Sequence, residues 1–166
     1  MSYYHSFFDS PIGRLRLVVH EGERLVGLLW EQDRLDELFD ALNPRNKKVP
    51  LLDEVERQLG EYFRGARRVF NLPIQSSGTR FQCVVWDTLR DIPYGETWSY
   101  SQLSIAATGS PKACRAVGLA NGRNPISIIV PCHRVVGKNG ALSGFAGGAD
   151  KKRFLLELEG AGQSFL

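Results

Sequence analysis

The hydrophobic pattern of this chain alternates with period two near its N-terminus and is mainly helical after residue 76, and that limits the folds open to it. Residues 3–31 run in short alternating stretches, YYHSFFDS, RLRLVVHE and RLVGLLWE, broken by SPIG and EGE. Alternation with period two between turn residues predicts a three-stranded antiparallel meander. DRLDELFDAL (33–42) and LLDEVERQLGEYFRG (51–65) have helical periodicity instead. In the second, Leu52, Val55, Leu59 and Tyr62 or Phe63 share a face. RRVFNLPIQ predicts one further strand. The first 76 residues therefore read as a small α/β domain.

From SSGTR onward, over 77–166, the signals are helical. Thr79 with Gln82 is a capping box ahead of an apolar stripe of Phe81, Val84, Val85 and Leu89. IPYGE ends that helix. Ser99 with Gln102 is a second capping box, leading YSQLSIAAT, which TGSP breaks. Ser110 suits an N-cap and Pro111 a first helical residue for PKACRAVGLAN, stopped by Gly122. Two short helices joined by a tight glycine turn form a helix-turn-helix candidate. In the second helix Ala113, Ala116, Val117 and Ala120 can face inward. Ala113 and Gly118 can face outward, with Arg115 projecting between them. That face suits close approach to another surface; tight helix packing beside a solvated arginine explains it equally. RNPISIIVPCHRVVG is an apolar segment bounded by two prolines, and KNGALSGFAGG a glycine-rich loop. Asp150 can cap a final helix, DKKRFLLELEG, ending at Gly160.

The 166 residues, 43% of them apolar, can bury a core without disulfides. Cys83, Cys114 and Cys132 are odd in number and widely spaced, without a CxxC. That disfavours a zinc ribbon and a secreted disulfide framework and favours a reducing compartment. No signal peptide and no membrane span are legible. The charge is unevenly placed: residues 1–75 carry 11 basic and 12 acidic side chains, residues 76–166 carry 10 and 6. Thr97 to Ala149 contains no acid, yet holds Lys112, Arg115, Arg123, Arg134 and Lys138. Such a stretch suits a polyanion such as nucleic acid, or is an ordinary solvated surface.

Chemistry concentrates in IIVPCHRVVG. A thiol is a weak nucleophile until it ionises, and an imidazole or a cation beside it favours the thiolate. His133 and Arg134 follow Cys132 directly. In an extended segment neighbours face opposite ways, so a turn or a bridging water is needed for His133 to serve Cys132. A base also needs an orienting carboxylate. Glu159 sits at the end of a helix, where the macrodipole disfavours an anion. It is either the tertiary partner of His133 or a solvated helix-end residue. Attack on an acyl carbon would yield a thioester that water opens. Attack on an alkyl carbon would yield a thioether and spend the protein. Physics alone leaves both open.

The residues together resemble a known family. NPISIIVPCHRVVG, with the later GFAGG and LLELEG, closely resembles the O6-alkylguanine-DNA alkyltransferases, DNA repair methyltransferases whose signature is PCHR followed by Val or Ile. GTRFQCVVWDTLRDIPYGETWSYSQL and KACRAVGLANGRNPI are similar to that family too. The resemblance is strong over about residues 78–160. It is weaker before them, where FFDSPIGRLRLVV and EYFRG still fit.

The resemblance implies a role for each matching position. Cys132 takes the alkyl group from O6 of guanine, and by implication from O4 of thymine, in one irreversible in-line displacement. His133, through a water and held by Glu159, withdraws the thiol proton. Asn124 stabilises the bend that carries the active segment. Tyr100 lines the pocket, donates to the departing guanine and crowds the phosphate during base flipping. Arg115 fills the gap left by the extruded nucleotide, while Ala113, Cys114 and Gly118 let their helix enter the minor groove. Ser101 and Ser110 match positions that touch the DNA backbone. Main-chain groups of Cys132, Val135 and Ala146 read the guanine edge, and Phe145 walls the pocket. A base inside a duplex cannot present O6 to a thiol, so flipping follows from the chemistry.

Phe145 departs from the family's usual tyrosine and lacks its hydroxyl; Cys114 is an extra thiol beside Arg115. With no cysteine before Cys83, no metal is expected, and no cofactor. The implied fold is α/β (α+β): an N-terminal antiparallel-sheet, ribonuclease-H-like domain at 1–76, and a mainly helical, winged-helix-like domain at 77–166 with the helix-turn-helix. The implied partner is double-stranded DNA holding O6-alkylguanine, bound by a monomer whose copies can cluster on DNA. The implied location is cytoplasmic, on the nucleoid in a bacterium, or nuclear in a eukaryote. A damage-binding protein without chemistry and a thiol hydrolase with turnover are the competing readings.

Overall fold

The computed structural model describes residues 2–31, 33–142 and 144–161. The chain forms two compact units, Met1–Ser77 and Gly78–Leu166.

In the first unit β1 (Tyr3–Ser10), β2 (Gly13–His20) and β3 (Arg24–Trp30) form an antiparallel meander in that order. Tyr3 opposes His20 across β1–β2, and Leu15 opposes Trp30 across β2–β3. Central strand β2 is buried on both faces from Leu15 to Val19. Helix α1 (Asp36–Asp40) brings Asp36 and Asp40 to the buried Arg16, at 2.9 and 2.8 Å. Gly27 lies opposite Val18, and a Cβ there would come within 2.9 Å of the Phe39 ring, so the glycine admits α1 to that face. Helix α2 (Pro50–Phe63) packs against β1 and β2 through the predicted stripe: Leu52, Val55, Leu59 and Tyr62 are buried.

Two predicted elements differ. Residues 33–42 are helical only over Asp36–Asp40, because the Asp33 carboxylate accepts the Leu35 amide and holds the entry in a turn. Residues 67–75 are no strand and make one bridge, Leu25 to Ile74. Pro73 has no amide to give, and the Gln58 side chain occupies both the N–H and the carbonyl of Asn71.

In the second unit α3 (Arg80–Leu89) and α4 (Tyr100–Thr108) each begin with the full reciprocal capping box, Thr79/Gln82 and Ser99/Gln102. The stripe on α3 is rotated from the prediction. Val85, Trp86 and Leu89 are buried, while Phe81 and Val84 are exposed. The Trp86 indole draws that face inward by donating to the Ala120 carbonyl at 2.8 Å. Gly109, in the left-handed conformation at φ 80°, ends α4. Ser110 accepts the Lys112 amide, but Pro111–Ala113 is a 3-10 turn, and α5 itself runs from Cys114 through Gly122. Val117 and Ala120 face inward as predicted, whereas Ala116 is exposed.

Two residues, β4 (Trp98–Ser99), pair in parallel with two more, β5 (Val135–Val136). This short ladder ties the start of α4 to the segment after Cys132-His133-Arg134. Helix α6 (Ala149–Leu158) closes the unit. Gly148 at φ 93° occupies its N-cap and Asp150 its first turn, so the predicted aspartate cap is not made. Among the described residues, no helix is long and apolar enough to cross a membrane.

Candidate functional site

The segment leading to Cys132 is shaped by two asparagines. Asn124 Nδ2 donates to the Val130 carbonyl at 2.7 Å and to Ile126 at 3.2 Å, while its Oδ1 accepts the Ile126 amide at 3.0 Å. One side chain thus closes a loop of six residues. Within it Ile128 is buried with φ at 71°, a region a β-branched residue rarely enters. Asn121, on α5, donates to the Cys132 carbonyl at 3.3 Å. In the sequence Asn121 is indistinguishable from any helical asparagine.

Cys132-His133-Arg134 form a 3-10 turn, so the turn that their adjacency required is present. Cys132 is 5% exposed and His133 fully buried. His133 Nε2 lies 2.8 Å from Glu159 Oε2. The carboxylate accepts, so Nε2 carries the hydrogen and Nδ1 keeps its lone pair. Buried Nδ1 has no hydrogen-bond partner among the described residues. Burial holds the imidazole below its ordinary pKa despite the opposing pull of Glu159, and it stays neutral and basic.

Arg134 is committed elsewhere than the thiol. Its Nε and Nη2 donate to Glu159 at 2.8 and 3.1 Å, and Nη1 donates to the Ile92 carbonyl at 2.7 Å. Burial would raise the Glu159 carboxyl, but His133 and Arg134 hold it far below the usual carboxylate range. The anion at the end of α6 therefore has two tertiary partners.

A cation that does interact with Cys132 is Lys152, fully buried on α6. Burial lowers its ammonium to about 8, opposed by its interaction with Cys132. Lys152 and Glu159 are seven residues apart, two helical turns, on one face. That spacing was the available signal for Lys152, hidden within a DKKR run that reads as solvated surface. Tyr100, half-buried at the start of α4, has its phenol raised by burial and then by Cys132. Its hydroxyl stays protonated and able to donate.

Around this centre, Val135 is buried in the β4–β5 ladder, Phe145 is buried, and Ala146 is exposed. Arg115 and Ser101 are exposed; Ser110, Ala113 and Cys114 are half-buried. Gly118 does not face outward alone: a Cβ there would stand 3.4 Å from the Tyr100 ring. Among the described residues no cluster of three or more His, Cys, Asp or Glu could hold a metal ion. The arrangement is an ionisable buried thiol with a neutral base, an anion orienting that base, a cation and a phenolic donor.

Two family models match the chain. One, the 6-O-methylguanine DNA methyltransferase ribonuclease-like domain, covers residues 3–76. The other, the DNA binding domain of the same methyltransferase, covers residues 80–161. The constitutive methylated-DNA–protein-cysteine methyltransferase of Bacillus subtilis is 47% identical over 158 residues, 94% of each chain. That of Methanosarcina acetivorans is 45% identical over 95% of this chain and 99% of its own. Among solved structures, the Mycobacterium tuberculosis O6-methylguanine methyltransferase superposes with a TM-score of 0.84 at 43% identity, over 96% of this chain and 93% of that one. The M. tuberculosis protein in complex with DNA gives 0.84 at 40% identity, over 99% of both.

Proposed function

The chain belongs to the 6-O-methylguanine DNA methyltransferase family, and from that membership we propose that it repairs alkylated DNA by moving the alkyl group onto its own Cys132. The observation that carries the reading is the buried Cys132 in one 3-10 turn with His133, whose Nε2 is held by Glu159 and whose Nδ1 remains basic.

The substrate is double-stranded DNA with an alkyl group on O6 of guanine, and on O4 of thymine. Exposed Arg115 enters from the minor groove and replaces the extruded nucleotide, with Ala113, Cys114 and Gly118 letting the helix approach. Ser101 and Ser110 meet the backbone, and the acid-free stretch keeps repulsion of phosphate low. The flipped base lies against Phe145, with main-chain groups of Cys132, Val135 and Ala146 at its edge.

His133 Nδ1 then takes the thiol proton through a water. The Sγ lone pair forms the bond to the alkyl carbon while the carbon–O6 bond breaks. Its electron pair stays on guanine, to which the Tyr100 hydroxyl donates a hydrogen bond or its proton, a proton so given being restored from solvent. Asn124 holds the segment so that Sγ stands in line. Water does not open a thioether, so each molecule reacts once. The protein needs neither metal nor cofactor, works as a monomer that can cluster on DNA, and acts wherever the cell keeps its DNA: cytoplasm and nucleoid, or nucleus.

A stoichiometric repair assay tests this. Wild-type protein restores one O6-methylguanine per molecule and stops; Cys132→Ser binds the duplex and restores none. Repair continuing beyond one lesion per molecule, or unaffected by Cys132→Ser, contradicts it.

A further inference from the structure

We propose that Gly144, backed by Gly118 and Gly122 of α5, is a positioning element for the Tyr100 hydroxyl: the absence of a side chain at 144 lets Oη stand where it meets the departing base. The inference rests on the alkyl-transfer reading above.

Tyr100 is fixed at both ends. Its backbone follows directly on β4, which the ladder to Val135–Val136 holds. Its ring lies on α5, where a Cβ on Gly118 would sit 3.4 Å from Cδ1 and Cε1. A methyl would just touch there, and anything larger would push the ring. The hydroxyl end is tighter. A Cβ on Gly144 would stand 3.0 Å from Oη, closer than a carbon and an oxygen rest without displacement.

Gly144 has φ at 80°, so a side chain is strained there in any case. The backbone requirement and the contact with Oη are separate, and only the second involves Tyr100. The loop is itself supported from α5: a Cβ on Gly122 would lie 3.4 Å from the Gly144 carbonyl. Gly118 and Gly122 are four residues apart and share one face of the helix. The helix bearing Arg115 thus backs both the ring of Tyr100 and the loop at its hydroxyl. A shift of a few tenths of an ångström at Oη is what a Cβ at 144 would impose. Proton donation to a leaving group is sensitive on that scale.

The test is a double-mutant cycle in single-turnover alkyl transfer from an O6-methylguanine duplex, with duplex Kd and Tm measured on every variant. Gly144→Ala is expected to slow transfer about three- to tenfold with Kd changed less than twofold. In the Tyr100→Phe background the atom that the new methyl would displace is gone, so Gly144→Ala is expected to slow transfer no further, while the strain at φ 80° still lowers Tm. An equal loss in both backgrounds would mean loop strain alone and would overturn the proposal. So would an unchanged rate for Gly144→Ala in the wild-type background. Should Gly144→Ala fail to fold, Gly122→Leu presses the Gly144 carbonyl from an ordinary helical backbone and is held to the same two criteria. Absence of transfer by the wild-type protein would instead contradict the function itself, which that control alone reports.

Discussion

The imidazole of His133 and the carboxylate of Glu159, 26 residues apart in sequence, meet at 2.8 Å with both side chains fully buried. Arg134 binds the same carboxylate through two nitrogens. The three form a cluster in which Arg134 and Glu159 cancel and His133 stays neutral.

Glu159→Gln removes the anion that fixes the His133 tautomer and leaves buried Arg134 without its counter-charge. Breaking a buried pair from one side costs about 3–5 kcal/mol. We expect a melting temperature lower by 10 °C or more and alkyl transfer slowed at least 100-fold at a temperature where the variant is folded. Loss of stability without loss of rate would show that Glu159 serves structure alone.

Stability should fall on mild acidification. His133 is held below 6.5 by burial, so below that pH the unfolded chain takes up a proton that the folded one refuses. The His133 contribution to stability is full above about pH 6.5 and declines as pH falls toward the folded value. Glu159, held far below 4.5, adds a second loss beneath that pH. Urea unfolding between pH 8 and 4 measures this; flat stability across pH 6.5 to 5 would contradict the buried neutral imidazole.

Lys152→Met keeps most of the unbranched side chain and removes the charge. The buried ammonium, lowered to about 8 from 10.5, costs the folded state stability below pH 8, and the cost fades as pH rises between the two values. The variant should be more stable at pH 7, by about 1–3 kcal/mol. It should also react at least tenfold more slowly, with its pH–rate profile moved to higher pH, since the cation favouring the thiolate is gone. A slower variant with an unmoved profile would place Lys152 outside the activation of Cys132.

Alkylation of Cys132 should destabilise the protein. The thiol is nearly closed to solvent, within a loop that Asn124 holds and Ile128 strains. A methyl group added to a filled site costs about 1–3 kcal/mol. Thermal unfolding before and after reaction checks this; an equal or higher melting temperature after transfer would count against it.

Much of the fold was legible because local rules agreed. The meander, α2 and both capping boxes follow from period and from pairs three residues apart. The errors arose where side chains took over the backbone: Asp33 shortened α1, and Gln58 occupied the chain before Pro73. The rotated stripe of α3 came from a single indole bond across helices, which periodicity cannot contain. At the site, Cys132 and His133 are adjacent, and Glu159 drew notice by defying the helix dipole. Lys152 and Asn121 did not, because buried lysines and loop-binding asparagines look like surface residues until packing is known. Arg134, two residues after Cys132, suits the role of a cation for the thiol, but its nitrogens are committed to Glu159 and Ile92.

In the proposed function Cys132 accepts one alkyl group and keeps it. The most direct measurement is intact and peptide mass after mixing the protein with excess duplex bearing one O6-methylguanine. A gain of one methyl is expected, on the peptide containing Cys132, saturating at one per molecule. An unmodified protein, with the duplex either bound unchanged or processed repeatedly, would contradict it.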